Sequence, residues 1–148
     1  MVPDANVIQY ANDADAPQHP SSSGFVRAAL AGDIPVELVP QVLLEFLSVS
    51  TNPRRVLRPI TPADAWQQVA ALRASCRLLD VLPRAIDILG QVLATQPRRG
   101  PRVYDLFLAA QMLSHGVSTI CTYNVRDFRG IPGIEAITPE EALRRYLP

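Results

Sequence analysis

A chain of 148 residues is long enough for one domain with a real core, and 48% hydrophobic with 19% charged residues is an ordinary globular composition. Basic and acidic residues balance at 14 each, with a pI near 6.7, so no global positive field draws in nucleic acid and an anionic substrate must meet local clusters. All 14 basic residues are arginine, which excludes the lysine of a P-loop and lysine Schiff-base chemistry, and argues against phosphoaspartate enzymes that pair their acid with lysine.

The two cysteines, Cys76 and Cys121, lie far apart in apolar contexts without zinc spacing, and read as core residues of a reduced protein. No charged n-region leads into an apolar h-region and no apolar run reaches membrane-spanning length, so the expected location is cytoplasmic.

The chain opens on Val2-Pro3-Asp4-Ala5-Asn6-Val7-Ile8. Read as a strand, this stretch puts Asp4 and Asn6 on one face, since side chains alternate with period two. Asn12 to Gly24 is polar and rich in Pro, Ser and Asp, and reads as a loop ahead of a helix carrying Phe25, Ala28, Ala29 and Leu30, closed by Gly32-Asp33. His19 in that loop is expected to face solvent. Ile34 to Val39 is a short strand candidate, and Pro40 suits the first turn of a helix through Val49. Glu45 is the lone acid in that helix; it either sits on a narrow solvent stripe or has a partner.

Thr51 to Pro62 is a Pro/Arg-rich connector, after which Thr61 caps a helix with Pro62 at N1 and Asp64 at N3. The single Trp66 falls at helical spacing with Val69 and Ala70, as a core or dimer-surface residue. Leu79 to Leu82 is extended, and Pro83 opens a helix to about Thr95. A loop with Arg98, Arg99 and Arg102 then delivers into the apolar helix Val103–Leu113, whose first turn carries Asp105. An acid there is favoured by the helix dipole alone; its place after an arginine-rich loop adds a functional reading. His115-Gly116 stops this helix. Val117 to Thr122 is a strand ending at Asn124-Val125-Arg126-Asp127-Phe128, Ile134 to Ile137 is a last strand, and Thr138 with Glu141 forms a capping box. Glu140 and Glu141 are therefore assigned to the cap rather than to catalysis.

Strands alternating with helices predict one α/β domain over residues 1–148, with a parallel sheet whose carboxyl edge collects Asp4 and Asn124–Asp127. Asp4, Glu45, Asp105 and Asp127 are single acids in apolar or strand-end settings. Brought together they would repel unless cations compensate, and hard oxygen donors suit Mg²⁺ or Mn²⁺ working on a phosphate. Arg98, Arg99, Arg102 and Arg126 are either ordinary loop charge or phosphate contacts, which arginine makes in bidentate fashion.

The motifs Asp4-Ala5-Asn6-Val7-Ile8, Val42-Leu43-Leu44-Glu45-Phe46, Tyr104-Asp105-Leu106-Phe107-Leu108-Ala109-Ala110 and Thr122-Tyr123-Asn124-Val125-Arg126-Asp127-Phe128 occur in this order over nearly the whole length. Taken together they resemble the PIN-domain nucleases, most closely the VapC toxins of VapBC toxin–antitoxin pairs. The resemblance implies a PIN-like three-layer sandwich with a mostly parallel central sheet flanked by helices, and a magnesium-dependent endoribonuclease held inactive by a VapB-like antitoxin, usually as a homodimer. It implies that Asp4, Glu45 and Asp105 match the family's metal-binding acids. Asp127 is the best match to the fourth, although many relatives carry an acid where Asn124 stands. Asn6 and Thr122 match residues that support the site by hydrogen bonding. The chain departs from the family pattern in having only Met1, Val2 and Pro3 before Asp4. The competing expectation is a PIN-like module that binds RNA or antitoxin without cleaving.

Overall fold

The computed structural model describes residues 1–147. Five very short strands alternate with eight helices: β1 (Val2–Pro3), α1 (Ala5–Tyr10), α2 (His19–Ala31), β2 (Glu37–Leu38), α3 (Pro40–Ser50), α4 (Pro62–Ser75), β3 (Arg77–Leu78), α5 (Arg84–Thr95), α6 (Arg102–Ser114), β4 (Thr119–Cys121), α7 (Val125–Phe128), β5 (Glu135–Ile137) and α8 (Pro139–Tyr146). All strand pairs are parallel, in two ladders, β1-β4-β5 and β2-β3. Two bonds at Met1, from the Glu37 amide to its carbonyl (2.8 Å) and from its amino group to the Pro35 carbonyl (2.9 Å), join them into the order β3-β2-β1-β4-β5.

Pro3 explains why that seam is so thin. Main-chain groups alternate sides along a strand, and the Asp4 amide donates towards β4, to the Cys121 carbonyl at 2.8 Å. Pro3 therefore turns its donor-less nitrogen to β2, and the ladder lapses there. The register sets Val2 opposite Ile120 and Pro3 opposite Cys121, and all four are buried. Side chains pointing to both faces of the sheet centre are thus covered by helices, as a parallel sheet requires. Phe25, Phe46, Leu106, Met112 and Phe128 complete the core between sheet and helices.

Several expectations shift. The opening strand is only two residues long, and Asp4 is the N-cap of α1 rather than a strand residue, so Asn6 lies in a helix. The stretch expected to be a loop up to Gly24 is helical from His19, because Pro20 is tolerated in the first turn and Ser22 is buried with its hydroxyl on the Tyr123 phenol, 3.2 Å. The extended piece expected at Leu79–Leu82 instead pairs at Arg77–Leu78. Trp66 is 55% exposed, which removes it from the core. His19 is half-buried, its Nδ1 lying 3.1 Å from the Tyr10 carbonyl. The Thr61 cap and the Thr138–Glu141 capping box both form, and both cysteines are free and buried. Among the described residues, no helix is long and apolar enough to cross a membrane.

Candidate active site

Because β1 and β4 run parallel, the residues that follow them emerge at the same edge of the sheet. Asp4 leaves β1 there, and Thr122, Tyr123 and Asn124 leave β4 beside it. The fully buried Thr122 hydroxyl donates to Asp4 Oδ2 at 2.6 Å. It accepts in turn from Asn6 Nδ2 (3.1 Å) and from the Asn124 amide (3.0 Å). Asn6 Nδ2 also reaches Asp4 Oδ2 at 2.7 Å, and Asn6 Oδ1 receives the Tyr123 amide at 3.3 Å. Two residues 116 positions apart thus fix one carboxylate oxygen. The contact of Asn6 with Asp4 does not come from the strand alternation expected from sequence: Asp4 is the extended N-cap of α1 and Asn6 is the second residue of that helix.

Helices bring the other acids. Asp105 occupies the first turn of α6 and Glu45 the middle of α3. The two helices are tied by a buried glutamine that sequence reading passed over. Gln111 Nε2 donates to Gln41 Oε1 at 2.7 Å, and Gln41 Nε2 donates to the Tyr104 carbonyl at 2.9 Å. Gln41 lies four residues before Glu45, on the same face of α3, so this strap sets Glu45 relative to Asp105. The signal available was a glutamine inside the apolar run Ala109–Leu113. Asp127 is half-buried in the one-turn α7, where it lines an open cavity of about 410 Å³ with Tyr123, Asn124, Val125, Arg126 and Arg129. A second cavity, about 220 Å³, lies away from these acids among residues of α1, α2 and α4.

Electrostatics shows that the four acids share one field. Burial pushes the Asp4 carboxyl above its ordinary range, and the Asp127 charge adds to this; the Thr122 hydroxyl and the Ala5 and Asn6 amides pull the other way. Asp105 is pushed up to about 6, first by desolvation and then by Asp127 and Asp4, against the pull of Arg98 and Arg102. Glu45 is raised by partial desolvation and then by Asp4 and Asp105, although much of its side chain meets solvent. Glu45 is exposed and makes no hydrogen bond or ion pair among the described residues, which is the solvent-stripe reading rather than the partnered one.

Three carboxyls held above their ordinary range by burial and by one another are what a divalent cation would relieve, and oxygen donors alone fit a hard ion. Among the described residues, no three Asp, Glu, His or Cys side chains form a preassembled metal cage.

Of the arginines, Arg98 is turned inward, its Nη1 lying 3.9 Å from Asp105 Oδ2 with only 13% of the side chain exposed. Arg99, Arg102 and Arg126 face solvent. Asn124 is exposed, with its amide on Thr122, while Asp127 is the residue whose charge acts on Asp4 and Asp105.

The PIN domain family model matches residues 1–134, and the chain belongs to that family. Within it, the chain stands among the VapC ribonucleases. It is 31% identical over 128 residues to Ribonuclease VapC24 of Mycobacterium tuberculosis, covering 84% of this chain and 86% of that one. It is 32% identical over 117 residues to Ribonuclease VapC43 of the same species, covering 78% and 80%. Its fold is shared with the crystal structure of VapBC2 from Rickettsia felis bound to a DNA fragment from their promoter, at TM-score 0.63 and 16% identity over 93% of this chain and 96% of that one.

Proposed function

We propose that residues 1–148 form a single PIN domain acting as a magnesium-dependent endoribonuclease, the toxin of a cytoplasmic toxin–antitoxin pair. The observation that carries this reading is the Asp4 carboxylate fixed by Thr122 and Asn6 at the carboxyl edge of a parallel sheet, with Asp105 and Glu45 raised first by burial and then by neighbouring acids. Asp4, Asp105 and Asp127 are assigned to hold the ion, Mg²⁺ or Mn²⁺. When bound, such an ion supplies Lewis acidity, making water a competent nucleophile at neutral pH and offsetting charge that develops on the phosphate.

The chain's own residues do the remainder. Thr122 and Asn6 lock Asp4 in one rotamer, so its free oxygen keeps a fixed aim. Glu45, raised above the ordinary carboxyl range and open to solvent, is suited to take the proton that the attacking water loses. Arg99, Arg102 and Arg126 are exposed around the site, where they would hold the RNA backbone by its phosphates. The VapC relatives are named ribonucleases, and the fold is shared with a toxin-antitoxin complex from Klebsiella pneumoniae; by this likeness the partner here is a VapB-like antitoxin, and the family resemblance implies a homodimer.

The experiment is cleavage of total cellular RNA by purified, antitoxin-free protein with Mg²⁺ or Mn²⁺, against EDTA and an Asp105→Asn control. Discrete metal-dependent fragments that vanish in the variant are expected. No cleavage by folded protein would leave a module that binds RNA or antitoxin without cutting. Cleavage that survives Asp105→Asn would put the chemistry elsewhere.

A further inference from the structure

Arg98 lies in the short connection between α5 and α6, flanked by exposed Pro97 and Arg99, yet its own side chain is 13% exposed. Its Nη1 is buried and has no hydrogen-bond partner among the described residues. The nearest acid oxygen, Asp105 Oδ2, is 3.9 Å away, beyond hydrogen-bonding reach. A guanidinium cannot shed its proton, and an unpaired buried donor is costly. Something other than a bond must hold it there.

Two features do. The connection is restrained: Gln96 Nε2 donates to the Gly130 carbonyl at 2.9 Å, tying it to the loop behind Asp127, and Gly100 turns at φ +59° between Arg99 and Pro101. The second is the field of the acids themselves, which favours any cation placed among them. A divalent ion would seek the same field. Resting on the metal-dependent reading above, we propose that Arg98 is a tethered counter-cation of the carboxylate cluster, a positioning residue that competes with the divalent ion for Asp105 and so sets how readily the site loads metal.

The exposed Arg102, which also acts on Asp105, provides the contrast, because solvent screens its charge. The test is a Mn²⁺ titration of the purified full-length protein at pH 8 without RNA, read by calorimetry or by loss of the free-ion electron paramagnetic signal. Arg98→Gln is expected to bind Mn²⁺ about threefold to tenfold more tightly than wild type, and Arg102→Gln less than about twofold more tightly. Gln96→Ala, at a half-buried loop position, cuts the tie to Gly130 without touching Arg98 and is expected to tighten binding in the same direction. Unchanged or weaker Mn²⁺ binding in Arg98→Gln, or in Gln96→Ala should the first variant not fold, would overturn the proposal. Failure of the wild type to bind Mn²⁺ at all would instead overturn the metal-dependent reading and the proposal with it.

Discussion

Replacing Asp105 by asparagine keeps the side chain's shape and removes its charge, which should stabilise the metal-free protein. Moving a carboxyl from 3.8 to about 6 on folding means that the folded chain holds the proton more tightly than the unfolded one. The sign follows: below about pH 4 both states are protonated and nothing is lost. As pH rises through the window from about 4 to about 6, the unfolded chain gives up the proton first and stability falls; above that the whole cost is present. At full strength the cost is about 3 kcal/mol, but the Asp105 side chain is 33% exposed, and solvent screening reduces this to about 1 kcal/mol. For a domain of this size that is about 2–4 °C in Tm. Thermal unfolding in EDTA is therefore expected to show Asp105→Asn melting a few degrees above wild type at pH 8, with the gap closing towards pH 4.5. Adding Mg²⁺ should raise the wild type more than the variant. A variant that melts at or below wild type at pH 8, with the same difference at both pH values, would refute the argument that Asp105 is held ionised against its neighbours.

Thr122→Val, nearly the same shape, removes the hydroxyl that donates to Asp4 and accepts from Asn6 and Asn124. It should cost about 1–3 kcal/mol by denaturant titration, because polar partners are left unsatisfied in a buried place; a neutral result would mean water replaces the hydroxyl. Arg99→Ala should weaken binding of an RNA fragment and lower the slope of log affinity against log salt by about one, as expected for one lost phosphate contact. An unchanged slope would return Arg99 to ordinary loop charge.

The sequence was most legible where chemistry is local. Thr61 and Thr138 precede proline and an acid at the right spacing, and the caps they announce form, because a capping bond needs only three residues of chain. The apolar run 103–113 announces a buried helix, and the fourfold recurrence of one acid in an apolar setting announces the site residues as candidates. Strand limits were less legible. Elements of two or three residues leave too few positions for periodicity to register, and β3 formed at Arg77–Leu78 because it had to pair with Glu37–Leu38, a partner forty residues away. Ser21–Ser23 looked like loop because serine is a poor helix interior residue; the Tyr123 phenol that receives Ser22 lies a hundred residues on.

By itself, then, the chain's order of residues determined the alternation of helix and strand, the caps, the lone acids and the arginine-rich loop before α6. Each depends on neighbours a turn or two away. Tertiary structure alone decided which of these meet. Parallel pairing of β1 with β4 carries Thr122 to Asp4 across 118 positions. Gln111 meets Gln41 across 70 positions, linking α6 to α3, and Arg98, rather than the exposed Arg99 or Arg102, lies 3.9 Å from Asp105. Carboxylates far apart in an unfolded chain have ordinary acidity; the fold that desolvates Asp4 and Asp105 and brings other acids near them raises both.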